Sequence, residues 1–400
     1  MTQPRSTLVS LDDTPWYHVV SRCVRRAFLC GHDAHSGRSF EHRRGWIADR
    51  LKQLASVFAV DIAAYAVMSN HFHIVVRVDE ARVEPLERDE ILRRWTQLFS
   101  GPVMVQRYLA DPQRLGAAEM KIVDAWVETY RSRLADLSWF MRVLNESIAR
   151  QANAEDRVTG RFWEGRFKSQ ALLDEQAVLT AMVYVDLNPI RAGMAPTPEA
   201  SEYTSVAERL AVLRATSGDG TTVAERAAAD PAVPGDSTAP GHTNATRSDT
   251  RGNRSRSVPH QTESLQPETV LDELVSAPLL PFDATGRAEC AVPFGFEDYM
   301  DLVEATGRVI REDKRGFIHD GTPPLLARLG IDPDQFIRAA SRMLQQFGSA
   351  IGTPTHLTAR CDARQTRYLR GMAAARQLFP RSAACPPPPP RNQDQPLAQQ

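Results

Sequence analysis

The sequence predicts an α+β protein in which a central antiparallel sheet is flanked by helices and followed by a small, mostly helical module. Three observations carry that prediction. Short segments rich in β-branched and aromatic residues alternate with segments whose apolar residues return every three or four positions, so strands and helices follow one another. The large hydrophobics nearly vanish between Ser217 and Pro267. Helical periodicity then resumes from Thr269 to Phe379, which sets a second unit apart from the first.

In chain order, the strand candidates are Trp16–Arg22, Ala63–Met68 and His71–Val78. The helix candidates are Trp46–Ala55, Leu137–Ala149 and Asp174–Leu187, the last of them stopped by Pro189. Together they define a first domain over 14–213. Inside it, the interval Glu84–Arg133 is helix-like and carries Trp95, Tyr108, Trp126 and Tyr130. It either covers the sheet as a helical pair, the preferred reading, or widens a binding surface. Gly, Ser, Thr, Ala, Pro, Asp and Arg dominate 217–267, and so little apolar surface cannot offset the entropy of ordering, so this segment reads as a disordered linker. Phe296–Val303 and Phe336–Leu344 are amphipathic helices of a module over 269–379 whose role the sequence does not disclose. The run Pro386–Pro390 marks 380–400 as an extended, disordered tail.

Composition excludes some classes. At 400 residues and 42% hydrophobic content the chain can bury a core, while a net charge of −1 excludes a protein coated in positive charge. Any nucleic-acid contact must therefore come from local basic patches. No apolar run approaches the roughly 18 residues of a membrane span, and the first residues lack the layout of a secretory signal. The expectation is a cytoplasmic protein with no membrane partner. Five scattered cysteines read as reduced thiols, and Cys23 and Cys30, even with His32 and His35 nearby, lack the compact spacing of a structural zinc site.

Two stretches carry chemistry. In Met68-Ser69-Asn70-His71-Phe72-His73-Ile74-Val75-Val76, strand alternation places both imidazoles on one face and Phe72 on the other. Same-face neighbours lie only about 7 Å apart, so the pair can chelate one divalent ion, or be two ordinary histidines on a half-exposed strand. Far along the chain, Tyr184 and Asn188 stand at i and i+4, so one helix face can present a phenol and an amide oxygen. The plain alternative makes Tyr184 a packing residue and Asn188-Pro189 a helix stop.

These blocks resemble the REP-associated tyrosine transposases, a branch of the single-tyrosine HUH transposases. The likeness rests on four ordered pieces: Trp16-Tyr17-His18-Val19-Val20-Ser21-Arg22; His71-Phe72-His73; Gly160-Arg161-Phe162-Trp163-Glu164-Gly165-Arg166-Phe167-Lys168-Ser169; and Tyr184-Val185-Asp186-Leu187-Asn188-Pro189-Ile190-Arg191-Ala192. It spans roughly Pro15 to Arg209.

The resemblance implies an HUH/ferredoxin-like sheet with the histidine pair on a middle strand and the tyrosine helix packed against it. It implies a metal-dependent DNA nicking and joining transposase acting on single-stranded or hairpin DNA. Tyr184 would be the nucleophile and would form a 5′-phosphotyrosine. His71, His73 and Asn188 would hold Mg²⁺ or Mn²⁺, because a phenol of ordinary pKa, about 10, is a poor nucleophile near neutrality and needs the phosphate charge neutralised. Arg22, Arg25 and Arg26, with Arg161, Trp163, Arg166 and Lys168, are the expected DNA contacts, cations for phosphate and a ring for base stacking; Arg43 and Arg44 extend the first cluster. Either a monomer or a homodimer is compatible with this site. Three other readings stand beside it: a non-cutting hairpin-binding regulator derived from a transposase, a metal-dependent hydrolase that uses water instead of Tyr184, and a structural protein with incidental histidines that binds no specific metal.

Overall fold

The structure is a computed structural model that describes residues 5–24, 29–32, 37–216, 263–288, 290–310 and 324–380. Arg25, Arg26, most of the expected linker (217–262) and the expected tail after Pro380 lie outside the described residues.

The first half runs α1 (Arg5–Leu8), β1 (Trp16–Arg22), α2 (Arg43–Val57), β2 (Val60–Val67), β3 (His71–Val78), α3 (Arg88–Thr96), α4 (Val103–Ala110), α5 (Ala117–Leu134), α6 (Leu137–Glu155), β4 (Lys168–Leu172), α7 (Glu175–Asp186), α8 (Asn188–Arg191) and α9 (Ser205–Thr216). The second runs α10 (Glu268–Leu271), α11 (Phe296–Ile310), α12 (Pro324–Leu329), α13 (Pro333–Gln346), β5 (Ala350–Ile351), α14 (Pro354–Ala363) and α15 (Met372–Leu378). Among the described residues the strands form one sheet in the order β2-β3-β1-β4-β5. The pairs β2/β3, β3/β1 and β1/β4 are antiparallel, as the alternating pattern predicts. With helices in the β1–β2 and β3–β4 connections, the order 4-1-3-2 is the ferredoxin-like arrangement. Strand β5 runs parallel to its neighbour, β4.

Register decides which side chains share a face. His73 lies opposite Val20, His71 opposite Arg22, and His18 opposite Gln170 on β4. His18, Val20 and Arg22 alternate onto one face of β1, so His71, His73, His18 and Gln170 all project to the same side of the sheet. Phe72 points to the other side, fully buried, where its ring meets Trp163 at 5.6 Å. Burying a ring of that size stabilises the fold by about 1.5–3 kcal/mol.

That second face is covered by α2 and α6, and Asn145 of α6 donates a 3.1 Å bond to the Ser21 hydroxyl beneath β1. The histidine face is covered by α7, which packs on β2, β3 and β4. Asp174 caps α7 by accepting from the Ala177 amide at 2.9 Å, and the helix stops at Leu187 before Pro189. The interval Glu84–Arg133 forms α3, α4 and α5, which pack on one another and meet α6 through an aromatic stack. Trp95 lies 4.8 Å from both Phe99 and Tyr130, and 5.3 Å from Trp139. The sheet face that these helices were expected to cover is taken by α2 and α6 instead.

The C-terminal half shares one hydrophobic core with the first. Beta strand β5 adds to the sheet edge, with the Ala171 amide donating to Ser349 and the Leu173 amide to Ile351, each at 2.9 Å. Helices α11 and α13 pack on α7. Residues 263–267, assigned to the linker by composition, are held against the aromatic stack: Glu263 accepts from the Trp95 indole at 3.0 Å and from the Tyr130 hydroxyl at 2.5 Å.

Candidate functional site

Strand β3 delivers His71 and His73 to the α7 face, and α7 delivers Tyr184 to meet them. The Tyr184 ring stands edge-on to His73, with centroids 5.5 Å apart and planes at 80°. The His71 and His73 rings lie 4.8 Å apart. Asn188 follows the break at Leu187 and stays close to the phenol: one Arg191 terminal nitrogen donates to the Asn188 Oδ1 and, at 3.3 Å, to the Tyr184 hydroxyl. The guanidinium also lies 4.5 Å over the Tyr184 ring. Its other terminal nitrogen donates to the Ser341 carbonyl of α13 at 2.6 Å. The four side chains expected from two remote stretches therefore meet around one locus.

Two residues that the sequence reading did not single out complete the site. The His18 and His73 rings lie edge to edge with planes 2° apart, and the His18 Nε2 is 2.9 Å from the His73 Nδ1. The His18 Nδ1 lies 2.9 Å from the Gln170 Oε1. Arg191 is the other. The position of His18 inside the Trp16–Arg22 block, on the face shared with Val20, was the available signal; its partnership with His73 required the β1/β3 register.

The locus is dry. His18 and His73 are 0% exposed, Asn188 1% and Tyr184 3%. Burial pushes the imidazoles toward their neutral forms. It takes His18 down to about 4 against an opposing bond from Gln170, and His71 down to about 4, helped by the charges of Arg22 and Arg191. His73 is driven well below its ordinary value by burial, then by His18 and His71. Neutral imidazoles are what a metal ligand requires. The His73 Nε2 is buried with no hydrogen-bond partner, and so is the Asn188 Nδ2. The imidazole pair thus fits a divalent cation. Asn188 fits it only after exchange, since its Oδ1 is engaged by Arg191.

His71 is half-buried and marks the edge at which the site reaches the surface, directly opposite the exposed Arg22. The loop before β4 runs alongside: the Val24 amide donates to Phe162 and the Glu164 amide to Arg22. That places the exposed Arg161, Arg166 and Lys168 beside Arg22 at one rim. Trp163 is committed to packing instead. Its ring touches Phe72 and Phe162, and its indole nitrogen donates to the Asn145 carbonyl at 2.7 Å, so the ring is held by packing while staying half-buried. Arg43 is wholly buried and paired with Glu155 at 2.7 Å and Asp156 at 2.5 Å, and Arg44 pairs with Glu41 at 2.9 Å. Arg43 thus ties the start of α2 to the end of α6, while the Arg44 pair is local.

No family model and no curated protein matches the chain. Among solved structures it is similar to a REP-associated tyrosine transposase bound to a REP hairpin, with 12% identity over 53% of this chain and 86% of that one, at a TM-score of 0.32. A likeness this distant lends support to no residue's role. No helix among the described residues is long and apolar enough to cross a membrane.

A second cluster, Asp61, Asp79 and Cys290, has metal-ligand spacing. It is already neutralised by two arginines: an Arg77 terminal nitrogen lies 3.0 Å from Asp79, 3.1 Å from the Cys290 sulfur and 3.6 Å from Asp61, and an Arg82 terminal nitrogen lies 2.7 Å from Asp61. Cys23 and Cys30 are buried and in no disulfide, and the Cys30 sulfhydryl donates to the Met68 carbonyl at 2.9 Å.

Proposed function

We propose that the chain is a transposase-type enzyme that nicks and rejoins single-stranded DNA through Tyr184, on substrates able to form hairpins. The observation that supports this reading best is the edge-on approach of the Tyr184 phenol to His73, whose outward nitrogen has no partner. A packing tyrosine needs neither a buried, unpaired imidazole nitrogen nor an arginine at its hydroxyl.

In this reading the backbone enters along the rim of Arg22, Arg161, Arg166 and Lys168, which counter its charge and reach the site beside His71. The Tyr184 oxygen attacks phosphorus and the bond from phosphorus to the 3′ oxygen breaks. The phenolic proton is lost, the departing oxygen gains a proton to become the 3′-hydroxyl of the upstream fragment, and the downstream fragment stays on Tyr184 through its 5′ phosphate as a phosphodiester. Reversal by an incoming 3′-hydroxyl restores the phenol and joins the strands. Arg191, already at the hydroxyl, holds negative charge as it develops at the reacting oxygen. His71 and His73, with Asn188 once freed from Arg191, would hold Mg²⁺ or Mn²⁺. Such a cation would neutralise the non-bridging phosphate oxygens. Because Tyr184 and Asn188 are covered, α13 has to withdraw from Arg191 before a phosphate can reach them.

The same burial favours one alternative, a regulator that binds hairpins on the basic rim and does not cut. A single assay separates the two. The full chain is incubated with a labelled single-stranded hairpin, with and without Mg²⁺ or Mn²⁺, and resolved under denaturing conditions. A covalent adduct that is absent in Tyr184→Phe establishes the enzyme; binding without an adduct establishes the regulator. Cleavage that survives Tyr184→Phe would transfer the nucleophile to water.

A further inference from the structure

We infer that Gly348, Gln170 and His18 form a hydrogen-bond relay that locks His73 in one tautomer, with its proton on Nδ1 and a bare lone pair on Nε2. The inference deepens the reading above by assigning positioning residues to its metal-binding imidazole.

The relay is fixed from its far end. The Gly348 carbonyl can only accept, so the Gln170 carboxamide must turn its nitrogen toward it, and does so at 2.8 Å. The Gln170 Oε1 then faces the His18 Nδ1 at 2.9 Å and can only accept, so the His18 proton resides on Nδ1. A neutral His18 is left with a lone pair on Nε2. The atom 2.9 Å away, the His73 Nδ1, has to donate to it. A neutral ring with its proton on Nδ1 carries its lone pair on Nε2, which is the buried nitrogen that has no partner. Each link leaves the next a single choice.

Register makes the relay possible. His18 and Gln170 are direct cross-strand partners on β1 and β4, while His73 lies diagonal to His18 on β3. The carbonyl that anchors the chain comes from the segment leading into β5, so the C-terminal half orients an imidazole three strands away. His71 reaches the same state by a local route: its Nδ1 lies 2.5 Å from the Asn70 Oδ1, which leaves its Nε2 as the free nitrogen. Metal-binding histidines commonly have the second ring nitrogen held by an acceptor in this way, and loss of that acceptor weakens metal binding about 10–100-fold.

The test uses the full chain labelled with ¹⁵N-histidine, read by long-range proton–nitrogen correlation at pH 8 without metal. His73, assigned by its loss in His73→Gln, is expected to show a protonated Nδ1 and an unprotonated Nε2. In His18→Phe, where the His73 Nδ1 has no acceptor, that pattern is expected to be lost and Mn²⁺ affinity, measured by electron paramagnetic resonance titration, to fall by roughly 10–100-fold. Gln170→Glu, which keeps an acceptor for His18, is expected to retain the tautomer. A protonated Nε2 on His73 in the unaltered chain overturns the inference, whatever the variants do. The expected tautomer in a chain that binds no Mn²⁺ would leave the relay standing and remove the metal from the proposed function.

Discussion

The Tyr299 hydroxyl donates a 2.5 Å hydrogen bond to the carboxyl of Asp186, two residues beyond Tyr184 on the same helix. Asp186 is 1% exposed and also accepts from the Ser205 hydroxyl at 2.5 Å and the Val206 amide at 3.1 Å. One buried carboxyl therefore clamps α11 and α9 to the end of the tyrosine helix.

Removing one arm of that clamp is expected to show in stability and in the behaviour of α11. Tyr299→Phe keeps the ring that fills the core and deletes only the donor, so the cost is that of an under-satisfied buried carboxyl, about 1–3 kcal/mol. Urea unfolding measures it. Hydrogen exchange should show faster exchange in α11 and the end of α7 than in β1 or β3, because only the former are joined through Asp186. Uniformly faster exchange would mean that Tyr299 acts through the whole core and not through this clamp.

Glu263 presents a second buried carboxyl. It takes the indole proton of Trp95, the hydroxyl of Tyr130 and, at 3.3 Å, a proton of Arg133. Replacement by Ala strands two or three donors in an aromatic pocket, and the expected loss is about 1–3 kcal/mol for each donor left without water. Glu263→Gln, which keeps one acceptor oxygen, should recover part of it. Equal stability of the Ala variant and the unaltered chain would show that 263–267 does not dock on the stack in solution.

These two clamps mark where the sequence was legible and where it was not. Alternation in His71-Phe72-His73 was sufficient to put both imidazoles on one face and Phe72 on the other, because strand geometry is local. The i and i+4 spacing brought Tyr184 and Asn188 together despite the break at Leu187. Glu263 was read as linker because its neighbours are polar, and its burial depends on partners more than 130 residues away in the chain. Arg43 looked like part of a phosphate-binding patch for the same reason: its carboxylates, Glu155 and Asp156, are far along the chain. Strand β5 has two residues and no periodicity to read. His18 carried no visible role until the sheet order placed β1 between β3 and β4.

Arg191 holds the Asn188 oxygen that the proposed divalent cation would need. Arg191→Met keeps a long apolar stem and removes every donor, so Asn188 becomes free to turn toward the histidines. Loss of one charge-assisted bond of about 1.5 kcal/mol corresponds to roughly tenfold tighter Mn²⁺ binding. The Ser341 carbonyl loses its partner at the same time, and thermal stability should fall. Mn²⁺ affinity that stays unchanged would take Asn188 out of the ligand set, leaving the imidazoles alone to bind.

Acid should loosen the molecule from the histidine face. His18 and His71, both lowered to about 4, and His73, lowered well below its ordinary value, stay neutral in the folded chain at a pH where the unfolded chain has already charged them. A lowered folded value means that the unfolded state binds more protons in the window between the two values. Their contribution is therefore fully present above about pH 6.5 and is lost as pH falls toward 4. For His18 the shift amounts to about 3 kcal/mol at the bottom of that window. Asp186, raised by its burial, works in the opposite sense, with a contribution present below the ordinary carboxylate range and lost as pH rises through its folded value. Three imidazoles outweigh that one carboxyl between pH 6.5 and 4, so the urea midpoint should fall steadily across this range. In His18→Phe the slope should be shallower by about one proton, because one fewer group charges on unfolding. A midpoint that does not move between pH 7 and 4.5 would mean that the folded chain accepts protons at this face, as a water-filled cleft would, and that the histidines are not shut away from solvent.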